Sequence, residues 1–297
     1  MEFDLENPLT SSQDLHSHAV ASLFQAENHH MPSIDYCGSL DSVDCDVSFR
    51  RQAISSILQL SSSFDPFLSY LAINYLDRFL SRSEIPILQR EKPWILRLLA
   101  VSCVSLAAKM KKTEFSLADF QGEGGFIFDS ETIMRMEILV LGALKWRMRS
   151  VTPFSFISFF ISLFKLKDPP LLEALKARVT EIILKSQKEI KLLQFKPSII
   201  AASTLLYACH ELFPLQFPCF MTAISNCPYV NKENMLCCYT AVREMEIKEF
   251  DSLYGVVSSS SSPVNVLDRH CLSSESEKSH TMGAESDVKR RKISVFL

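Results

Sequence analysis

The stretch KPWILRLLAVSCVSLAAKM, residues 92–110, decides how the rest of this chain folds. Between Trp94 and Ala108 its only charged residue is Arg97, and no Gly or Pro follows Pro93. A helix that is apolar on nearly every side has to be buried. Its run of about 15 apolar residues is shorter than the roughly 20 that span a bilayer. The stretch therefore predicts the central helix of an all-α domain, surrounded by other helices.

A second copy of this pattern lies further along the chain. Residues 98–108 align with residues 199–209 without a gap, with small side chains matching small ones and aliphatic side chains matching aliphatic ones. Lys-Pro precedes each copy. We therefore expect two tandem units of similar structure, against the alternative that buried helices in general look alike. The copies differ at their ends, where Lys109 of the first corresponds to His210 of the second.

Capping signals divide each unit into five helices. Asp65-Pro66 and Asp168-Pro169 are typical of helix starts, because Asp caps the first turn and Pro lacks an N–H that this turn leaves unbonded. Asp129 and Ser130 are alternative caps of a further helix. The pattern predicts helices at residues 50–60, 66–81, 92–110, 115–121 and 129–145, with a loop at 122–125, and then at residues 152–164, 169–193, from 197, 215–225 and 231–253.

The two ends of the chain differ in composition from this folded part. Residues 1–46 contain no Lys or Arg, and we expect an acidic, mobile arm there with one short amphipathic helix at about residues 14–28. Residues 47–148 and 149–255 form the two units. Residues 256–297 are Ser-rich and cannot bury a core, so we expect a disordered tail.

This tail contains two candidate signals. Ser262 precedes Pro263 and is a candidate phosphorylation site, with a plain Ser-rich linker as the alternative. A basic cluster near the end is a candidate nuclear-import signal, with a solvated charge run as the alternative. The cluster consists of Lys289, Arg290, Arg291 and Lys292.

The sequence does not support several functional classes. The nine Cys include no CxxC pair, and no His lies at zinc-ligand spacing from a Cys pair, so we expect free thiols, no metal and no cofactor. No nucleophile elbow, P-loop or HExxH motif indicates an enzyme. The net charge of −3 does not favour nucleic-acid binding. Because no apolar leader opens the chain, we expect an intracellular protein without membrane contact.

Four stretches carry a family resemblance: LAINYLDRFL at residues 71–80, LAAKM at 106–110, RME with LKW at 135–146, and VTPFSF at 151–156. Together they resemble cyclins, and the chain is identified as a divergent member of the plant D-type (G1) cyclins, in the D6 subgroup. The resemblance implies two five-helix repeats and an activating, regulatory subunit that forms a heterodimer with a cyclin-dependent kinase. It further implies control of G1 progression and cell division, a nuclear location, and kinase-inhibitor proteins as additional partners.

The residues themselves single out Glu137. Its helical neighbours at i±3 and i±4 are all apolar: Ile133, Met134, Val140 and Leu141. A carboxylate on such a face is costly to bury unless a donor pairs with it. Either a partner protein covers this face, or Glu137 meets a cation of its own chain.

The resemblance assigns Glu137 a partner and a role. It implies that Lys109 and Glu137 together contact the kinase beside its αC helix. Three apolar side chains would flank this contact: Met110, Leu141 and Trp146. A surface ion pair within the chain, worth less than about 1 kcal/mol, is the alternative.

Two further sites follow from the resemblance. Arg50 and Asp77 match a structural pair, expected to be half-buried between the first two helices. A groove that docks substrates through an Arg-x-Leu motif would lie at Phe49, Gln52, Ala53 and Ser56. Ser56 stands where cyclins usually carry a Trp, and a hydroxymethyl group cannot form the apolar wall of an indole. We therefore expect weak or absent docking.

The departures from the family leave alternatives open. D-type cyclins usually carry Leu-x-Cys-x-Glu, which binds retinoblastoma-type proteins. The nearest stretch here, VDCDV at residues 43–47, lacks both the Leu and the Glu, so we do not expect this route to that partner. One alternative is a degenerate cyclin that binds the kinase without docking substrates. The other is a cyclin-fold transcription factor, which the acidic arm and the absence of zinc-ribbon cysteines do not favour.

Overall fold

The computed structural model describes residues 5, 17–33, 36, 44–82, 92–114, 116, 127–164, 166 and 168–257. Within these ranges the chain forms ten α-helices and two 3-10 helices, Glu27–His30 and Ile190–Leu192, and no strand. The all-α class is therefore confirmed. The α-helices, in chain order, are α1 Ser17–Ala26, α2 Asp44–Leu60, α3 Pro66–Leu80, α4 Pro93–Met110, α5 Ser130–Ala143, α6 Phe154–Ser162, α7 Pro169–Ser186, α8 Pro197–Leu212, α9 Phe217–Ser225 and α10 Lys232–Val257.

The central helix of the first repeat is α4. It packs against α2, α3 and α5, and residues 98–108 are all buried. By length and composition alone α4 could cross a membrane, but 72% of it is buried inside the protein. Burial of this extent is typical of a core helix, as predicted for this stretch.

The corresponding place in the second repeat belongs to α8. It packs against α6, α7 and α9, and the Oγ of Ser203 donates a hydrogen bond to the carbonyl of Met235 in α10 at 3.0 Å. The two repeats differ at the C-terminal ends of their central helices, as the sequence predicts. Lys109 lies in the last turn of α4, whereas His210 packs edge-to-face on Phe217, with 5.0 Å between ring centroids.

Local capping sets where several helices begin. Four of them, α3, α4, α7 and α8, start at a Pro, whose missing N–H costs nothing in the first turn. The carboxylate of Asp65 accepts a hydrogen bond from the Phe67 N–H at 3.0 Å and caps α3. Asp129 accepts one from the Thr132 N–H at 2.6 Å, so Asp129, and not Ser130, caps α5.

Two helix boundaries differ from the prediction by more than five residues. Helix α2 begins at Asp44 instead of Arg50, because its first turn is too polar to show an apolar stripe. Helix α7 ends at Ser186 instead of continuing to Leu193. The carbonyls just after it, at residues 187 and 188, accept hydrogen bonds from Arg50 and not from N–H groups of a longer helix.

Helix α1 packs on the second repeat, so the prediction that it belongs to a mobile arm is wrong. Phe24 is buried, and its ring stacks on that of Tyr229 with 4.5 Å between centroids. In the 3-10 helix after α1, Glu27 accepts two hydrogen bonds from Ser198, one from the N–H at 2.9 Å and one from Oγ at 3.0 Å. The carboxylate therefore binds the first turn of α8, a favourable place for negative charge.

By compactness the chain divides into residues 1–249, which contain the first repeat and most of the second, and residues 250–297. Of the second unit the structure describes only the end of α10. The candidate signals at Ser262 and residues 289–292 lie outside the described residues, as do the side chains of residues 43–46 and most of the helix and loop predicted at 115–125.

The six cysteines whose side chains the structure describes are free thiols, as predicted. Burial raises the pKa of the Cys209 and Cys238 thiols to about 12, so neither is a reactive thiolate at neutral pH. Among the described side chains, no group of three His, Cys, Asp or Glu is arranged to hold a metal ion.

Candidate functional site

Lys109 and Glu137 form an ion pair between the end of α4 and the middle of α5. The Nζ of Lys109 lies 2.7 Å from Oε1 and 2.6 Å from Oε2 of Glu137. The Glu137 side chain is 8% exposed, whereas that of Lys109 is 54% exposed. Of the two possibilities that the sequence left open, Glu137 thus meets a cation of its own chain. The carboxylate is buried, and the ammonium remains accessible from outside.

A third side chain completes this arrangement. The Oγ of Ser105 donates a hydrogen bond to Oε1 of Glu137 at 2.6 Å. Ser105 lies one turn before Lys109 on α4, so both reach the same carboxylate. Hydrogen bonds to a charged acceptor are short and strong, and together they hold Glu137 in place. Ser105 was not predicted from the sequence, although its i, i+4 spacing from Lys109 was a usable signal.

The ion pair is accompanied by apolar side chains along and after α5 that the described residues leave uncovered. The exposed fractions are 50% for Met134, 52% for Ile138 and 70% for Trp146. Met110 and Leu141 are partly buried and pack against the core. Exposed apolar side chains clustered in this way are typical of a protein-binding surface. We refer to these residues together with Lys109 and Glu137 as the α5 surface.

Trp146 follows α5 in an unusual backbone conformation. Lys145 and Trp146 have φ angles of 54° and 60°, a region that residues other than Gly rarely adopt. The N–H of Trp146 bonds the carbonyl of Leu141 at 2.9 Å, and the N–H of Lys145 bonds that of Gly142 at 3.0 Å. This pairing is typical of a Schellman-type helix end. Strained turns of this kind cluster at functional sites, and this one leaves the indole exposed.

Arg50 and Asp77 form the ion pair that the resemblance implies, with Arg50 Nε 2.7 Å from Asp77 Oδ1. The pair is more deeply buried than expected, because the two side chains are only 2% and 3% exposed. The prediction of a half-buried pair underestimated its burial, because the second repeat covers one side of Arg50. The covering contact is a hydrogen bond from Arg50 to the carbonyl of Gln187 at 2.6 Å.

The four predicted groove residues lie on α2 and do not line an open apolar groove. Phe49 is 5% exposed and Ala53 is fully buried. Gln52 is exposed, and its amide donates a hydrogen bond to the Oγ of Ser48 at 3.2 Å. Ser56 is partly exposed. The accessible positions among the four are therefore polar.

Comparison with known protein families finds two matches that cover the described fold. The cyclin N-terminal domain matches residues 18–149, and the cyclin C-terminal domain matches residues 151–267. The chain is 50% identical to a putative cyclin-D6-1 of Arabidopsis thaliana, over 99% of each chain. It is 40% identical to cyclin-D6-1 of Oryza sativa subsp. japonica, over 98% of this chain and 90% of that protein.

A solved structure is also similar to this chain. A viral cyclin from herpesvirus saimiri superposes with a TM-score of 0.55, covering 70% of this chain and 88% of that one. The two sequences are 17% identical, so the superposition shows a shared fold and nothing finer.

Proposed function

The chain belongs to the cyclin family, in its plant D-type branch, and we propose that it is the activating subunit of a cyclin-dependent kinase that drives G1 progression and cell division. Cyclins are regulatory subunits and not enzymes. The observation that carries the proposal is the ion pair of Lys109 and Glu137 within the α5 surface, with one partner buried and the other accessible.

The geometry of this pair suits a contact with another protein. An ammonium group has three N–H donors, and the two oxygens of Glu137 engage two of them. The third can be offered to a carbonyl or carboxylate of the kinase. Because Glu137 holds Lys109 in advance, binding need not order a free lysine side chain, which lowers the entropic cost of association.

The apolar part of the α5 surface supplies the remaining contact. Trp146 follows the last residue of α5 by three positions and is 70% exposed, and Trp is enriched among residues that dominate binding energy. Leu141 and Met110 extend this area towards Lys109. In this proposal the polar pair sets the orientation of the kinase and the apolar side chains supply most of the affinity.

The mechanism we infer is a shift of population. A kinase that exchanges between inactive and active arrangements moves towards the active one when a partner binds that arrangement more tightly. The chain supplies the binding surface, and the kinase supplies every reacting group. Lys109 and Glu137 would lie beside the αC helix of the kinase, whose position decides which arrangement is populated.

Co-purification with a plant cyclin-dependent kinase tests this proposal. We expect wild type to retain the kinase, and Lys109→Glu and Glu137→Lys each to lose it. The exchange variant Lys109→Glu/Glu137→Lys is the sharper probe, since it restores opposite charges across the two helices. If the pair contacts the kinase, the exchange variant also loses it, whereas a purely internal ion pair would be rescued.

A matched control excludes a general effect of charge. Lys176 forms an ion pair with Glu173 on the surface of α7, at 3.0 Å. Lys176→Glu makes the same change in charge as Lys109→Glu but lies in the second repeat. We expect it to retain the kinase. Loss of the kinase by Lys176→Glu, or retention by Lys109→Glu, would contradict the proposal.

The polar α2 positions favour one qualification of this function. Because Gln52 and Ser56 are the accessible members of the predicted groove, we propose that substrates are not recruited through Arg-x-Leu motifs. The kinase would then select substrates by other contacts.

We further propose that the cluster at residues 289–292 directs the complex to the nucleus. Mutation of all four basic residues in a fluorescent fusion would test this.

A further inference from the structure

A basic pocket lies at the C-terminal end of α5, apart from the ion pair. It has a volume of about 580 Å³. Three separate segments line this pocket: the 3-10 helix after α1, the turn that follows α3, and the end of α5 with the residues after it. The lining residues are His29, Arg82, Gly142, Ala143, Lys145 and Arg147.

The positive charges of this pocket are not neutralised within the described part of the chain. There, no carboxylate forms an ion pair with Arg82, Lys145 or Arg147. Towards the described residues, the side chain of Arg82 donates one long hydrogen bond, 3.5 Å from its Nη2 to the carbonyl of His29. Lys145 and Arg147 are exposed. Clustered cations without counter-ions repel one another, and an anion would relieve that repulsion.

A buried arginine adds to this positive field. Arg78 is fully buried. The acceptors that its guanidinium meets in the described part of the chain are neutral oxygens, the Ser150 Oγ at 3.0 Å and the Arg147 carbonyl at 3.0 Å. Its Nε has no hydrogen-bond partner among the described residues. A buried charge that meets no opposite charge is costly, and such groups are found at functional sites more often than elsewhere.

The titration of neighbouring groups agrees with this picture. The pKa of His30 is lowered from 6.5 to about 4, first by burial and then by nearby positive charges. These charges belong to Arg78, Arg147, His29 and Arg82. Burial first and Arg147 second also lower the pKa of Arg82. In both cases it is the second contribution, from neighbouring positive charges, that indicates an electropositive neighbourhood.

The cations at the end of α5 are not needed to satisfy that helix end. Backbone N–H groups already bond its last carbonyls: Leu144 bonds Val140 at 2.9 Å, Trp146 bonds Leu141 at 2.9 Å and Lys145 bonds Gly142 at 3.0 Å. The side chains of Lys145 and Arg147 are therefore available for another acceptor. The strained φ angles at Lys145 and Trp146 set the course of the chain that carries both cations.

We propose that this pocket binds the phosphate group of a phosphorylated side chain carried by a partner protein. A phosphomonoester carries a charge of about −1.5 to −2 and three strong acceptor oxygens. The guanidinium groups of Arg82 and Arg147 can bond such oxygens in pairs. The site is one compact pocket in a chain of net charge −3, which fits a single phosphate better than the repeated phosphates of a nucleic acid.

The two tryptophans of the chain provide a direct readout on the chain alone. Trp146 lies between two of the lining residues, whereas Trp94 lies at the start of α4. We would titrate the ¹⁵N-labelled full chain with a Gly/Ser-rich peptide that carries one phosphothreonine, and follow the two indole N–H signals. We expect saturable shifts of the Trp146 signal and none of the Trp94 signal. Because the assay contains no kinase, its result does not depend on whether the proposed function is correct.

Matched probes and variants make the result decisive. The unphosphorylated peptide should give no saturable shift, and Arg82→Gln/Arg147→Gln should weaken phosphopeptide binding at least ten-fold. The control Arg135→Gln/Arg243→Gln removes the same charge elsewhere and should bind as wild type. Equal binding of both peptides, or unchanged affinity in Arg82→Gln/Arg147→Gln, would overturn the proposal. Stronger binding of inorganic phosphate or of a short single-stranded DNA than of the phosphopeptide would also overturn it.

Discussion

The guanidinium of Arg50 forms two hydrogen bonds with the carboxylate of Asp77, at 2.7 and 2.9 Å, inside the protein. The same guanidinium donates to the carbonyls of Gln187 at 2.6 Å and Lys188 at 3.3 Å. One arginine thus joins α2, α3 and the end of α7. Because these groups are buried, each depends on the others for its hydrogen bonds, and the interaction connects the two repeats.

We expect Arg50→Met to lower the free energy of unfolding by about 3–5 kcal/mol, because it leaves the buried Asp77 without a counter-charge. Urea unfolding followed by circular dichroism measures this change. The matched control is Arg135→Met, which breaks an ion pair with Glu131 whose side chains are 72% and 65% exposed. That control should cost less than about 1 kcal/mol. Equal costs for the two variants would contradict the structural role of Arg50.

Ser105 should support the ion pair that we assign to kinase binding. Ser105→Ala removes a hydrogen bond to the charged Glu137, and we expect a loss of about 1–3 kcal/mol in stability together with weaker kinase binding. Ser102→Ala is the control on the same helix, because the buried Oγ of Ser102 has no hydrogen-bond partner among the described residues. It should be neutral or slightly stabilising. Calorimetric titration with the kinase and thermal unfolding would compare the two variants.

Stability should fall in mildly acidic solution because of His30. Its pKa in the folded protein is lowered from 6.5 to about 4, first by burial and then by nearby positive charge. The unfolded chain therefore binds this proton at higher pH than the folded chain does. The stability contributed by neutral His30 is complete above pH 6.5 and is lost as the pH falls towards 4, by up to about 3 kcal/mol.

The variant His30→Gln isolates this contribution, since Gln does not titrate. Glu27, whose pKa is raised by burial, acts in the opposite direction, but it is present in both proteins and cancels from the difference. Urea unfolding at several pH values should show a shallower decline below pH 6.5 in His30→Gln, and parallel curves above pH 7. Parallel curves over the whole range would refute the prediction.

Docking of substrates through α2 should be weak. Gln52 and Ser56 present polar groups where an apolar wall is required, so an Arg-x-Leu peptide should show no saturable binding up to about 1 mM. Ser56→Trp with Gln52→Leu introduces apolar surface at these positions and should raise the affinity measurably. Fluorescence anisotropy with a labelled peptide would test both, with an Arg-to-Ala change in the Arg-x-Leu motif of the peptide as control. Micromolar binding by wild type would show that the polar positions do not prevent docking.

Local signals in the sequence predicted much of this fold. Helices α3, α4, α7 and α8 begin at the Pro residues that mark them, because the effect of Pro on the first turn is local. The apolar neighbours of Glu137 indicated that this carboxylate needs a partner, and the family resemblance named Lys109 as that partner. Both inferences use residues whose side chains carry the signal.

Other features depend on contacts that leave no such signal. The hydrogen bonds from Arg50 to the carbonyls of Gln187 and Lys188 involve main-chain acceptors, which every residue type has. They end α7 earlier than its apolar pattern predicts. The basic pocket was missed for a similar reason, because Arg82 and Arg147 are far apart in sequence and meet only when α3 and α5 pack into one repeat.

Activation of a kinase is tested most directly by the rate at which a purified plant cyclin-dependent kinase phosphorylates histone with and without this chain. We predict that saturating wild type raises the rate at least about ten-fold, that Lys176→Glu does the same, and that Lys109→Glu does not. A kinase that binds the chain but phosphorylates no faster, or one that Lys109→Glu activates as well as wild type does, would contradict the proposed function.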